Sequence, residues 1–226
     1  YDVYQFPPGQ APTIDADDAD WQAVPDRCRI DGTRLEDTVM GKGGDMDPAD
    51  LAVEVTVGWS AETNRLYFLY KVDDDMHNFD PEWGDIFEVV LDADHSGGRY
   101  HSFPDVDPAT EENLKSTTCQ NYHIFTPPGP GRPWAWVWGT QQWLVDKPWA
   151  EAAYKYSFQH KQPGALVLEF YITPFNYASH LGPDYSCLLY TSDAADDLLC
   201  VALGGRRIIQ KKTQQPNIPL YNLRHI

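Results

Sequence analysis

Positive charge is scarce in this chain: 17 lysines and arginines stand against 34 aspartates and glutamates, a formal net charge of -17. That balance repels phosphate backbones and anionic lipid, so nucleic acid and membrane surfaces are excluded as expected partners. No apolar run approaches the length needed to span a bilayer, so membrane insertion is not expected. Cysteine and methionine are also few, at four and three residues. G-x-S-x-G, H-E-x-x-H and C-x-x-C are all absent, which removes the common hydrolase, zinc-protease and redox signatures. With this many carboxylates, a pair at glycosidase separation would arise by chance, and nothing singles one out. The chain is expected to have no catalytic residues. Sustained helical periodicity is missing too, and the 18 prolines are spread throughout.

What is present is apolar and aromatic: 42% hydrophobic and 13% aromatic residues over 226 positions. That suffices for a real core, so global disorder is excluded. Leu51 to Trp59 alternates as a half-buried strand does. Leu66 to Val72 and Ile86 to Leu91 are more continuously apolar, as strands covered on both faces would be. Asn121 to Thr126, Trp134 to Trp138 and Ala165 to Ile172 supply three more strands, with Gly/Pro/Asp-rich turns between. Many short strands without βα alternation predict an all-β, antiparallel β-sandwich. Residues 1–11, with Pro7, Pro8 and Gly9, read as a linker or lead-in.

The last forty residues change character. Cys187 to Asp196, and again Val201 to Ile209, resemble the translation of a transposase-type sequencing-library adaptor. Residues 187–226 are therefore read as a non-native tail and set aside. The remainder carries 12 basic and 31 acidic residues, a net charge of -19. Cys28 and Cys119 are then the genuine cysteines, and either one disulfide or two buried thiols is compatible with them.

Three blocks carry a family resemblance: "PTIDADDADWQAVP" near the start, "YFLYKVDDDMHN", and "WGDIFEVVLDADHSGG". In order and spacing they resemble the family 9 carbohydrate-binding modules and their DOMON-related relatives. Ala16 departs from the glycine usual in the opening block. The resemblance covers residues 12–186. It implies a non-catalytic β-sandwich, truncated before its C-terminal strands, that holds neutral carbohydrate between tryptophan faces. A sugar offers C–H groups on its faces and hydroxyls at its edge, so rings flanked by polar groups match both. By position in the motif, Trp83 would be one wall, Glu88 a hydroxyl acceptor, Asp73 the acid closing the preceding strand, and His123 a polar contact. The family's second wall would fall beyond Ser186. The resemblance also implies a secreted, periplasmic or cell-surface location, with further domains covalently attached. Structural calcium is the one metal it implies, with Asp92 and Asp94 of the "DADHSGG" turn as candidate ligands.

Each residue also has a bland reading. Trp83 could be a surface staple, Asp73 to Asp75 a solvated strand end, and His123 a satisfied sheet histidine. Residues 92–98 could be only a polar turn. Trp134, Trp136 and Trp138 alternate with Ala135 and Val137, so period two puts the three rings on one face. Because Ala135 and Val137 are small, Trp136 is expected to fill the core. Trp134, next to the Pro/Gly loop, is then the ring offered to a ligand. Two rival functions remain. One is a structural or protein-interaction sandwich without sugar binding. The other is a DOMON-type haem module using His77, His95, His101 or His123 with Met40, Met46 or Met76.

Overall fold

The computed structural model describes residues 2–35, 47–79, 84–93, 103 and 105–189, together with the backbone of Cys200–Arg206. Its strands in chain order are β1 (Tyr4–Gln5), β2 (Arg29–Asp31), β3 (Leu51–Ser60), β4 (Arg65–Asp74), β5 (Ile86–Asp92) and β6 (Cys119–Phe125). They continue as β7 (Ala135–Val137), β8 (Ala150–Tyr156), β9 (Gly164–Ile172), β10 (Phe175–Tyr177), β11 (Cys187–Leu188) and β12 (Cys200–Arg206). One short helix, α1 (Pro108–Leu114), is N-capped by Asp107.

Two main sheets face each other. The first runs β1-β3-β4-β9-β8, with β2 also on β3; the second runs β12-β5-β6-β7. β3 and β4 pair antiparallel along all ten residues, from Leu51 opposite Asp74 to Ser60 opposite Arg65. The architecture is an all-β sandwich, antiparallel apart from the two-residue contact of β1 with β3. All six strands read from the sequence are present, and β8 joins them at the edge.

β4 explains the arrangement. Its Leu66, Phe68, Tyr70 and Val72 point at the second sheet and meet Phe87, Val89, Leu91, Tyr122 and Ile124 in one core. Phe68 lies flat on Phe170 with ring centroids 4.6 Å apart, and Tyr70 stacks on Phe87 at 4.4 Å. The alternate residues Tyr67 and Leu69 face the other way, under a cover of Phe6, Trp21, Val24 and Cys28 from the N-terminal segment. A strand covered on both sides needs apolar residues at every position, which is why this run does not alternate. Tyr4 to Phe6, within the expected lead-in, thus belong to the fold. Phe6 packs so closely on β3 that a Cβ at Gly58 would lie 2.1 Å from its ring.

The N-terminal cover is fastened by a buried acid. Glu169 of β9, with no exposed surface, accepts the Trp21 indole N–H at 2.6 Å and the Asp15 backbone N–H at 3.1 Å. Beside it the Lys71 ammonium donates to Asp18 at 2.7 Å. Burial pushes the Glu169 carboxyl above its usual range, opposed by the Trp21 hydrogen bond.

No disulfide joins Cys28 and Cys119; both are buried, Cys28 under the N-terminal cover and Cys119 at the start of β6. The tail contributes backbone: β11 pairs with β10, and β12 pairs residue for residue with the outer edge of β5. Edge pairing uses main-chain groups and accepts almost any extended sequence.

Glu169→Ala leaves the indole and Asp15 donors without their acceptor, and is expected to destabilise the protein by about 2 kcal/mol in urea unfolding. Glu169→Gln keeps an acceptor but no longer titrates. The folded-state carboxyl holds its proton more tightly than the unfolded one. Its contribution is therefore fully present below the unfolded value and is lost as pH rises through the raised folded value. The stability of wild type relative to Glu169→Gln is expected to increase as pH falls through that window.

Candidate functional site

In the second sheet, β5 turns Phe87, Val89 and Leu91 into the core, so Glu88, Val90 and Asp92 lie on the opposite, outer face. Register then aligns Glu88 of β5, His123 of β6 and Trp136 of β7 in one cross-strand row. The His123 imidazole lies almost parallel on the Trp136 indole, with centroids 3.9 Å apart and planes 10° apart. Its Nε2 stands 3.7 Å from Glu88 Oε1, an ion-pair separation when the imidazole is protonated. Trp138 leans over the same group, 5.7 Å from His123 and 5.8 Å from Trp136. It is the most open of these rings, 39% exposed.

The helix end completes the cluster. α1 stops at Lys115, and Ser116 follows with φ +56°, a left-handed turn. The Lys115 ammonium sits 5.3 Å from the Trp138 ring centroid and pairs with Glu112 at 3.0 Å. The Ser116 hydroxyl donates to Trp138 O at 2.9 Å and accepts from Asn121 N at 3.2 Å, tying the helix exit to the Trp138 backbone. The outer edge of β7 is closed by a side chain. Gln142 Oε1 accepts from Val137 N at 3.2 Å, while its Nε2 donates to Val137 O at 2.8 Å and Gly139 O at 2.7 Å. This satisfies a short edge strand without another strand beside it.

The structure brings Glu88 and His123 together but assigns the tryptophans differently from the sequence reading. Ala135 and Val137 are the core residues of β7, at 1% and 0% exposure, and Trp136 is on the outer face. Trp134 precedes the strand and packs against the core, 6.3 Å from Phe170, with its indole N–H donated to Val145 O at 3.1 Å. The expectation for the two rings is thus reversed. The core has enough large rings from Phe87, Phe170 and Tyr122 that small β7 residues complete it. Asp73 lies on the first sheet, exposed, between Ala52 and Ala165. It belongs to the face turned away from the second sheet and does not join the row; Asp74 is the inward-facing neighbour. Asp92 is buried at the end of β5. Trp83, Asp94, His95, His101, Met40 and Met46 lie outside the described residues. The calcium reading therefore stands here on one carboxylate. Trp136, Trp138 and Lys115 were not among the expected site residues. The period-two spacing of Trp136 and Trp138 was the available signal, and it gave their common face but not which face.

No helix among the described residues is long and apolar enough to cross a membrane. No family model and no curated protein matches the chain. Among solved structures it is similar to a family 9 carbohydrate-binding module from Caldicellulosiruptor kristjanssonii in complex with glucose. The identity is 14%, the TM-score 0.40, and the match covers 75% of this chain and 67% of that one. It is similar also to a family 9 module from the same organism in complex with cellotriose. There the identity is 12%, the TM-score 0.38, and the coverage 75% and 66%. The match thus spans about two thirds of each module.

Removing the Gln142 side chain tests how the face is held. Gln142→Ala is expected to cost about 1 kcal/mol. It should also speed hydrogen exchange of the Val137 amide while leaving amides in β4 and β9 unchanged.

Proposed function

We propose that the chain binds neutral carbohydrate on the outer face of β5, β6 and β7, without catalysing its cleavage. The observation that supports this most is the row Glu88–His123–Trp136 with Trp138 open beside it. Aromatic faces take the C–H side of a pyranose, while a carboxylate, an imidazole and the Lys115 ammonium are placed to take hydroxyls at its edge. The acidic surface suits an uncharged ligand better than an anionic one. Trp83, five residues ahead of Glu88 in sequence, is proposed as a further wall. The setting proposed is a secreted or cell-surface protein in which this sandwich adjoins other domains.

Adsorption to a panel of insoluble glucans, xylans and mannans, with calorimetry on soluble oligosaccharides, tests this reading. Trp138→Ala and Glu88→Gln are each expected to weaken binding about tenfold or more, with unchanged far-ultraviolet circular dichroism. Tyr156→Ala, an exposed ring on β8 of the first sheet, is expected to bind as wild type does. Binding that survives both site substitutions would move the ligand elsewhere, and the Trp83→Ala protein then tests the remaining wall.

A further inference from the structure

A second group of chemical side chains lies at the other end of the β4–β5 connection. Asp74 closes β4 on its inward face, His77 follows three residues later, and Asp85 immediately precedes β5. One ligand atom from each lies within 4.8 Å of the other two. All three are withdrawn from water: Asp74 is 7% and His77 1% exposed, and the Asp85 side chain 12%.

The fold holds these donors rigidly. His77 is gripped by its backbone, donating N–H to Gln162 O at 3.2 Å and accepting at its carbonyl from Lys161 N at 2.7 Å. Its ring stacks on Phe158 at 4.5 Å and stands edge-on to Phe79 at 4.3 Å. Asp74 Oδ1 accepts from Met76 N and Asp85 Oδ2 from Asn78 N, each at 2.9 Å, so both carboxylates are oriented by the main chain.

The geometry points to a divalent transition-metal site, with zinc as the fitting ion, held by Asp74, His77 and Asp85. Two ionised carboxylates at this separation in a buried pocket repel, and a dication between them removes the repulsion. His77 Nδ1 is 3.0 Å from Asp85 Oδ2. That is also the spacing, on the order of 3 Å, between two ligands each about 2.0–2.1 Å from one zinc ion. One nitrogen with two carboxylate oxygens is a donor set for zinc or its neighbours, whereas calcium prefers oxygen alone. The inference does not depend on sugar binding, because none of these residues is in the Glu88 row.

The full chain, stripped with chelator and desalted, is titrated with zinc and separately with calcium. The expected result is about one zinc retained per chain, a melting temperature several degrees higher than in chelator, and no such rise with calcium. Asp85→Asn should bind zinc at least about tenfold more weakly. His77→Phe, which keeps a ring between Phe79 and Phe158, should lose the site while retaining the wild-type circular dichroism. Should either variant fail to fold, the side-chain nitrogen NMR shifts of His77 in wild type decide, moving on zinc addition if the site is real. Equal melting temperatures in zinc and chelator, zinc retention untouched by both substitutions, unmoved His77 shifts, or a calcium response matching zinc would each overturn the assignment.

Discussion

Burial of β4 on both faces is the constraint from which the rest of the molecule follows. One face is met by the second sheet, where Phe68, Tyr70, Phe87 and Phe170 interlock. The other is met by a segment with little regular structure, which could not hold its place by apolar contact alone. Phe6, Trp21 and Val24 supply the apolar cover, and Glu169 supplies direction, because its two oxygens fix one indole and one backbone amide. Placing a carboxylate in a layer of aromatic rings is costly unless its oxygens are occupied. Here both are, and the acid defines how the N-terminal segment lies across the sheet.

The second sheet has the opposite character. Its inner face completes the core, and among the described residues no comparable segment covers the outer face of β6 and β7, where Trp138 is 39% exposed. That asymmetry lets chemistry accumulate there. A carboxylate, an imidazole and two indoles stand side by side there, with Glu88 buried at 8% exposure and Trp138 open beside it. Stacking of His123 on Trp136 fixes the imidazole plane, so its edge toward Glu88 is preset. Lys115 arrives from the end of a seven-residue helix between β5 and β6, whose Asn113 carbonyl also takes a hydrogen bond from Gln141 Nε2 at 2.8 Å. The neighbouring backbone is tied down by Ser116 and Gln142, side chains that replace missing strand neighbours.

Most of this fold was legible in the sequence because its strongest strands are long, apolar and separated by turn residues. What was not legible depended on partners distant in the chain. The tripeptide Ala135–Val137 looked too small to serve the core, and only the bulk contributed by Phe87, Tyr122 and Phe170 makes small residues the right ones there. Period two placed Trp136 and Trp138 together, but no local feature distinguishes a core-facing from a solvent-facing row. Asp73 and Asp74 are equivalent in sequence terms, and one step of register separates an outer-face acid from an inward one. β1 escaped notice because two residues beside prolines carry no strand pattern, and Phe6 and Gly58 lie too far apart in sequence to read as a contact. Glu88 and His123, by contrast, occupy motif positions that the strands bring opposite each other.

The connection from β4 to β5 links the two sheets and therefore both proposed sites. Asp74 ends a strand of the first sheet, while Asp85 begins the segment that enters the second, three residues before Glu88. An ion held by both would fix the spacing between the sheets at that end. His77 adds the turn between β8 and β9 to the same junction through its backbone bonds to residues 161 and 162. Three chain segments then meet where Phe79 and Phe158 flank several buried polar groups. Backbone hydrogen bonds to Asp74 and Asp85 and the contact of His77 with Asp85 hold that corner against the repulsion of the carboxylates. With a cation, the same charges bind the corner together. The start of β5, and with it the position of Glu88 on the outer face, would rest on a metal-braced junction. The stacked rings that orient His123, by contrast, are held by β6 and β7 with the side chains of Ser116 and Gln142.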